Sequence, residues 1–392
     1  MLRGFKFRLT QDRHPASVEE YRQAAMRRLP SLVRAYIENG AEDEATLRAN
    51  RGAFARWTLR QRVLTGTVKP RLETVIGGET ITLPVMCAPT GFTALSHSSG
   101  DVAVARAAER AGTRIVLSTA SSYSIEEVGA ATNKPHGFQL YPFGNHDFAE
   151  GMLNRARESG YGALYVTVDV PVRGNRDAER RHGLTIPPVV SLGTALNCAF
   201  HPGWSLDLLR NGRLGAANYA PTGGLRGATM SDTITQQNRF MQTDLHWDDV
   251  AWMRDKWKGA FYIKGIMDVE DAVHAVEKIG VTGLVVSNHG GRQMDSAQGS
   301  LDALGAIGRE VGGRAELILD GGVRRGTDVI KALCLGAKAV LIGRPYLYGL
   351  AAGGEDGVAR VLEIFREELD RDLTLMGCPD IGLLDRSWLL PA

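Results

Sequence analysis

Residues 287–295 read SNHGGRQMD, a run that sets an asparagine, a histidine and an arginine around two glycines that remove side-chain bulk. A histidine takes or gives a proton near neutral pH, whereas an arginine stays charged and presents a planar fork that matches a carboxylate. His289 and Arg292 together therefore suggest proton abstraction from an acid. Alone, His289 reads equally well as a satisfied structural histidine, and it is Arg292 that turns the reading toward chemistry.

Other reactive side chains follow short β-rich runs in the same chain. Gln139 and Tyr141 lie in one such run, Asp169 and then Arg176 follow the next, and Lys264 ends another. The last two runs end in LDGGVRRG and LIGRP, where glycines free backbone N–H groups at helix starts and Arg324 and Arg344 add charge. That combination suits a phosphate, although each glycine also reads as an ordinary turn residue. Lys264 reads as a Schiff-base nucleophile, a cation facing a cofactor or a solvated lysine, and residue types alone leave all three open. No carboxylate or second histidine stands at metal-ligand spacing.

The elements that must position these groups are β-rich runs alternating with amphipathic stretches from Leu83 onward. Eight runs, LPVMCAP, RIVLSTA, GFQLY, ALYVTVD, FYIKG, GLVVSN, ELILDGG and AVLIGR, predict eight parallel strands joined by helices, a TIM (β/α)8 barrel of the α/β class. Active sites of such barrels sit at the C-terminal strand ends, where the reactive residues fall. GDVAVARAAERAG, DFAEGMLNRARESG, DVEDAVHAVEKIG, GTDVIKALCLGAK and a final GVARVLEIFREELDRDLTLMG carry helical spacing. The expected organisation is one domain over 1–392. Its residues 1–80 form a helical cap built from SVEEYRQAAMRRL and PSLVRAYIENGAEDEATLRANRGAF, and a long loop at 187–245 follows the fourth strand.

Composition narrows the alternatives. With 392 residues, 44% of them hydrophobic, and 46 basic against 44 acidic residues, the chain is ordinary for a folded protein and offers nucleic acid no basic field. Cys87, Cys198, Cys334 and Cys378 are widely spaced, which predicts neither a zinc site nor a disulfide scaffold and fits a reducing cytoplasm. MLRGFKFRLTQDRH lacks the apolar run of an export signal.

Beyond these properties, the chain resembles the FMN-dependent 2-hydroxy acid oxidases and dehydrogenases, the group of glycolate oxidase, lactate dehydrogenase and mandelate dehydrogenase. The resemblance spans nearly the whole chain. SNHGGRQMD carries it most specifically, supported in order by YIENGAEDE, APTG, LSTAS, FQLY, TVDVPVRGNR, IKGI, LDGGVRRG and LIGRPYLYGL. It implies His289 as proton acceptor oriented by Asp295, Arg176 and Arg292 as the carboxylate pair, and Tyr36 and Tyr141 as substrate-lining hydroxyls, with Asp169 beside them. For FMN it implies Pro89, Thr90 and Gly91 along the ring, and Ser118, Gln139, Thr167, Lys264 and Ser287 on ring or ribityl atoms. Asp320, Gly321, Gly322, Arg324, Gly343 and Arg344 would hold the ribityl tail and phosphate. The stretch DAERRHGL after Arg176 departs from the commoner NRF ending.

The resemblance further implies a homotetramer that passes electrons to a quinone, with an oxygen-using oxidase as the alternative. A flavin-binding isomerase, a phosphate-binding lyase or a non-catalytic flavin barrel would need neither the base nor the two arginines. Hydride transfer and carbanion formation both place a histidine beside the substrate and stay undecided. In the long loop, Phe200, Trp204, Leu206, Leu208 and Leu209 stand among Arg210 and Arg213. This mixture reads as peripheral contact with the inner face of the cell membrane or as a lid over the substrate.

Overall fold

The computed structural model describes residues 15–142, 146–184, 189, 191–219 and 244–392. Each expected β-rich run contains one strand of an eight-stranded parallel sheet. The strands are β4 (Val85–Cys87), β5 (Val116–Ser118), β6 (Gly137–Leu140), β7 (Ala163–Thr167), β8 (Ala260–Ile266), β9 (Gly283–Val286), β10 (Glu316–Asp320) and β11 (Ala339–Ile342). Their order is β4-β11-β10-β9-β8-β7-β6-β5, and a parallel bridge between Cys87 and Ile115 closes the ring. The TIM barrel is therefore present.

Because successive side chains of a strand point to opposite faces, each barrel strand divides between two cores. Leu117, Phe138, Leu164, Val166, Ile263, Leu284, Leu319 and Val340 pack outward into the helical layer. Met86, Val116, Tyr165, Tyr262, Val285, Ile318 and Leu341 fill the interior. Tyr165 and Tyr262 stack there with ring centroids 4.5 Å apart. Gly137 has no side chain because a Cβ would stand 2.5 Å from the Tyr165 ring.

The N-terminal region differs from a purely helical cap. Helices α1 (Val18–Arg28), α2 (Ser31–Glu38) and α3 (Ala45–Ala55) give way to strands β1 (Trp57–Leu59), β2 (Thr74–Ile76) and β3 (Glu79–Ile81). The expected long second helix is two helices, because Gly40 sits against the Gly291 carbonyl, where a Cβ would approach to 2.7 Å. β2 and β3 form a hairpin whose turn, Gly77 and Gly78, has positive φ at both positions, as a two-residue turn between twisted strands requires. Ile76 and Ile81 from this hairpin join the interior core, and Gly77 N–H donates to Glu316 Oε2 at 3.0 Å, so the hairpin plugs the barrel floor. β1 pairs with β12 (Leu389–Pro391). The final helix begins earlier than expected, at Arg344, and is interrupted at Gly353 and Gly354 before ending at Met376.

Within the expected long loop, helices Leu192–Ala199 and Pro202–Asn211 are built, whereas 187, 188, 190 and 220–243 lie outside the described residues. Ile81→Ala would open a cavity in a side chain only 2% exposed. We expect a loss of about 2–5 kcal/mol in unfolding free energy, read as a lowered urea midpoint at unchanged slope.

Candidate active site

The pleat that fills the barrel floor with apolar groups turns the next inward side chains toward the strand C-termini, where Lys264 and Asp320 line a cleft. Two residues beyond Val116, Gly137, Tyr165, Tyr262, Val285 and Ile318 stand Ser118, Gln139, Thr167, Lys264, Ser287 and Asp320. All six are buried. Gln139 Oε1 accepts from Ser118 Oγ at 3.1 Å and from Thr119 N–H at 3.3 Å, which orients its amide. Its Nε2 and the Thr167 hydroxyl then find no partner among the described residues. Buried donors without acceptors are costly, so these two call for a bound polar group.

Lys264 Nζ donates to Ser287 Oγ at 2.9 Å and pairs with Asp320 at 2.9 Å, while Ser287 Oγ donates to Asp320 at 2.8 Å. Burial works against the ammonium, but Asp320 and Asp169 hold its pKa above the ordinary lysine value. Of the three sequence readings, the fixed cation is the one this geometry fits.

The loop after β9 is the centre of the arrangement. His289, Gly290 and Gly291 all have positive φ, 59°, 66° and 74°. His289 is held in this uncommon conformation from both sides: its N–H donates to Ser287 Oγ at 3.0 Å, and Asn288 exchanges two 2.8 Å amide hydrogen bonds with Asn50 of α3. Its Nδ1 lies 2.9 Å from Asp169 Oδ1, and its Nε2 lies 3.4 Å from the Tyr141 hydroxyl. Burial pulls the imidazole pKa below its ordinary value against the opposing pull of Asp169. Asp169 itself, despite burial, is held below the usual carboxylate range by His289 and Lys264. A neutral imidazole with Nδ1–H on a carboxylate leaves Nε2 as a proton acceptor.

Asp295 does not take the orienting part expected of it. Its carboxylate accepts from Ala45 N–H at 3.2 Å and Thr46 N–H at 2.8 Å, capping α3, because the chain turns outward after Arg292 toward that helix N-terminus. The carboxylate on the imidazole belongs to Asp169.

Arg292 and Arg176 both line the cleft, with Tyr36 and Tyr141. Arg292 donates from one nitrogen to the carbonyls of Tyr36 (2.6 Å) and Asn39 (3.0 Å) and from the other to Glu179 (2.8 Å), with its guanidinium carbon 5.0 Å from the Tyr36 ring centroid. Tyr36 donates to the Gly91 carbonyl at 3.0 Å. Arg176 donates to the Arg292 carbonyl (3.1 Å) and Gln293 Oε1 (3.2 Å). Gln293 and Glu179 were missed in the sequence, although one adjoins Arg292 and the other stands three residues after Arg176, where a helical turn brings side chains together.

Pro89, Thr90, Gly91, Asp320, Gly321, Gly322, Arg324, Gly343 and Arg344 line the same cleft. Gly343 stands at the start of the helix Arg344–Met376, where a notional Cβ would make only ordinary contact with Ala88 and Thr90 at 3.9 Å, and a helix N-terminus there suits an anion. Gly322 has a second reason to be glycine, because a Cβ there would stand 2.3 Å from the Asn50 carbonyl. The Arg344 guanidinium is committed to three carbonyls, Ile37 (2.8 Å), Gly290 (3.0 Å) and Asn39 (3.1 Å), so its side chain ties α2 to the His289 loop. Burial and neighbouring Arg292 bring its pKa down to about 10.

An anion cradle at one end, unpaired donors and a buried cation along the middle, and an imidazole beside two arginines define a flavin-dependent (β/α)8-barrel oxidoreductase. Comparison agrees. The family described as FMN-dependent dehydrogenase matches residues 25–391. The chain is 37% identical to (S)-mandelate dehydrogenase of Pseudomonas putida over 95% of this chain and 93% of that one, and 40% identical to an L-lactate oxidase of a Nostoc species over 96% and 98%. A crystal structure of a monotopic membrane protein, (S)-mandelate dehydrogenase, superposes with a TM-score of 0.92 at 36% identity, covering 97% of this chain and all of that one. The chain belongs to the FMN-dependent dehydrogenase family, whose members oxidise 2-hydroxy acids, and its cofactor is FMN.

With Nε2 unprotonated as the working form, activity should fall as pH drops through the imidazole pKa, which lies below the usual histidine value of ~6.5. Asp169→Asn removes the group that raises that pKa, so the acidic limb of kcat/KM should move to still lower pH while the rate falls. His289→Asn should retain FMN yet reduce it about a hundredfold more slowly or worse in stopped flow.

Proposed function

We propose that the protein oxidises an L-2-hydroxy acid to the 2-oxo acid, with His289 as the base and Arg176 and Arg292 holding the substrate carboxylate. The observation that carries this reading is the His289–Asp169 pair opening Nε2 into a cleft that also holds both guanidiniums. Bound FMN supplies the two-electron oxidation. Gln139, Thr167, Lys264 and Ser287 would hold its ring and ribityl groups, and Arg324 with the backbone of Gly343 and Arg344 its phosphate. Arg176 and Arg292 orient the acid by its carboxylate, and Tyr36 and Tyr141 border the carbon that reacts. His289 Nε2 takes the proton that leaves this centre, from the hydroxyl or from the α-carbon, and Asp169 stabilises the imidazolium that results. Lys264 sets positive charge beside the cofactor.

For the electron acceptor we propose a membrane quinone. In the helices Leu192–Ala199 and Pro202–Asn211, Trp204 and Leu208 turn inward, and Trp204 donates to the Leu95 carbonyl at 2.7 Å. Leu192, Leu196, Phe200, Leu206 and Leu209 stay exposed, Phe200 and Leu209 at 81% each. An unpaired apolar face of this kind suits the headgroup boundary of a bilayer. Asn197 accepts from Ser31 N–H at 2.7 Å, which sets the face against α2 and so beside the cleft. None of these residues lines the cleft, which favours docking over a lid for the described part of the loop. No helix among the described residues is long and apolar enough to cross a membrane.

Anaerobic titration with (S)-lactate and (S)-mandelate should bleach the flavin with at least one of them, and a flavin that stays oxidised with a panel of 2-hydroxy acids would sink the assignment. The double variant Phe200→Ser, Leu209→Ser should lose co-sedimentation with anionic liposomes while reducing a water-soluble dye at the parent rate. Fast reoxidation by oxygen with hydrogen peroxide release, and no liposome binding, would mark a soluble oxidase instead.

A further inference from the structure

The cleft wall contains a carboxylate that none of the roles above employs. Glu179 lies in the short helix Asp177–Arg181, with its side chain 1% exposed. Its Oε1 accepts from Arg292 at 2.8 Å and lies 3.5 Å from Arg176, and its Oε2 accepts from Arg173 at 2.8 Å. Three guanidiniums thus share one carboxylate, and all four residues line the cleft. At Arg176, burial, followed by the like charge of Arg292, brings the pKa down to about 10.

Side chains so placed repel one another unless an anion stands among them. We infer that Glu179 is the resident counter-carboxylate of the substrate pocket, holding Arg176 and Arg292 together before substrate arrives and limiting how tightly the pocket binds an anion. The inference rests on the reading that these two arginines receive the substrate carboxylate. The Nε–H of Arg292 has no acceptor among the described residues, so an incoming carboxylate can share that guanidinium with Glu179 without displacing it. With substrate bound, three positive charges face two negative ones, and the 2-oxo acid product, which keeps the same carboxylate, leaves a pocket of two excess positive charges instead of three. Arg173, 39% exposed and absent from the sequence reading, becomes part of this balance.

The test is the affinity of the FMN-loaded enzyme for oxalate, an anion with no hydrogen to abstract, followed by the change in flavin absorbance at two ionic strengths. Glu179→Gln should bind oxalate at least about fivefold tighter, and Arg173→Gln should bind it weaker by a comparable factor, with both differences shrinking at high salt. Equal or weaker binding in a Glu179→Gln protein that retains FMN overturns the inference. Should that variant fail to fold, Arg173→Gln decides alone, since its partly exposed side chain is dispensable for packing: weaker binding supports the charge balance and unchanged binding overturns it. Arg176→Gln in the same assay separates the two levels. Unchanged oxalate affinity there removes the carboxylate assignment itself, whereas weakened binding there beside an unaltered Glu179→Gln protein overturns only the part given to Glu179.

Discussion

A β-strand returns to the same face every second residue, and in a closed eight-stranded barrel that face looks into a space only side chains can fill. Everything at the site follows from how this chain uses two consecutive inward levels. The lower level is apolar and stacked, with Tyr165 on Tyr262 and the hairpin side chains Ile76 and Ile81 beneath. The upper level is polar on six adjacent strands. Water is excluded from below by the first level, so Lys264, Ser287 and Asp320 must satisfy one another, and their triangle of hydrogen bonds is the outcome. The donors that this triangle does not absorb, on Thr167 and Gln139, stay buried on the adjoining strands β7 and β6.

Above that level the problem is one of charge. Arg173, Arg176, Arg292 and Arg344 enter a cleft that offers few anions, and the chain meets them in two ways. Carboxylates answer some of the charge. Main-chain carbonyls answer the rest by hydrogen bonding while leaving the positive field in place, most plainly where Arg292 and Arg344 meet the C-terminal carbonyls of α2. That end of a helix is electronegative, so the cations also match its dipole. The cap is therefore fastened by the same groups that make the site attractive to an acid.

Much of this was legible in the residues. All eight barrel strands lay in runs whose β-branched content and spacing marked them, and the residues proposed to hold the cofactor and to act as base fell at strand ends, where the fold puts its chemistry. What escaped was long-range or two-fold in meaning. Gly77 and Gly78 spell a tight hairpin between TVI and ETI, yet that hairpin's place as a barrel plug depends on contacts with strands far along the chain. Asp295 stood closer in sequence to His289 than Asp169 did, but a chain leaving a left-handed turn carries its next carboxylate away, and the partner came from the end of β7, across β8 from the strand that carries His289. Arg344 and Gly322 served the cap as well as the cradle, which residue type cannot distinguish. Glu179 was unreadable because an acid in a stretch of arginines looks like an ordinary solvated ion pair until its burial is known.

The fastening of α2 through its main chain bears on how such an enzyme could diverge. Arg292 and Arg344 grip the carbonyls of Tyr36, Ile37 and Asn39, and every amino acid offers the same carbonyl. Side chains on the cap that face the cleft can therefore be exchanged by mutation without loosening the anchors that keep the cap in register with His289. A lineage can retune the shape of its pocket one residue at a time on this helix while inheriting an unchanged catalytic frame.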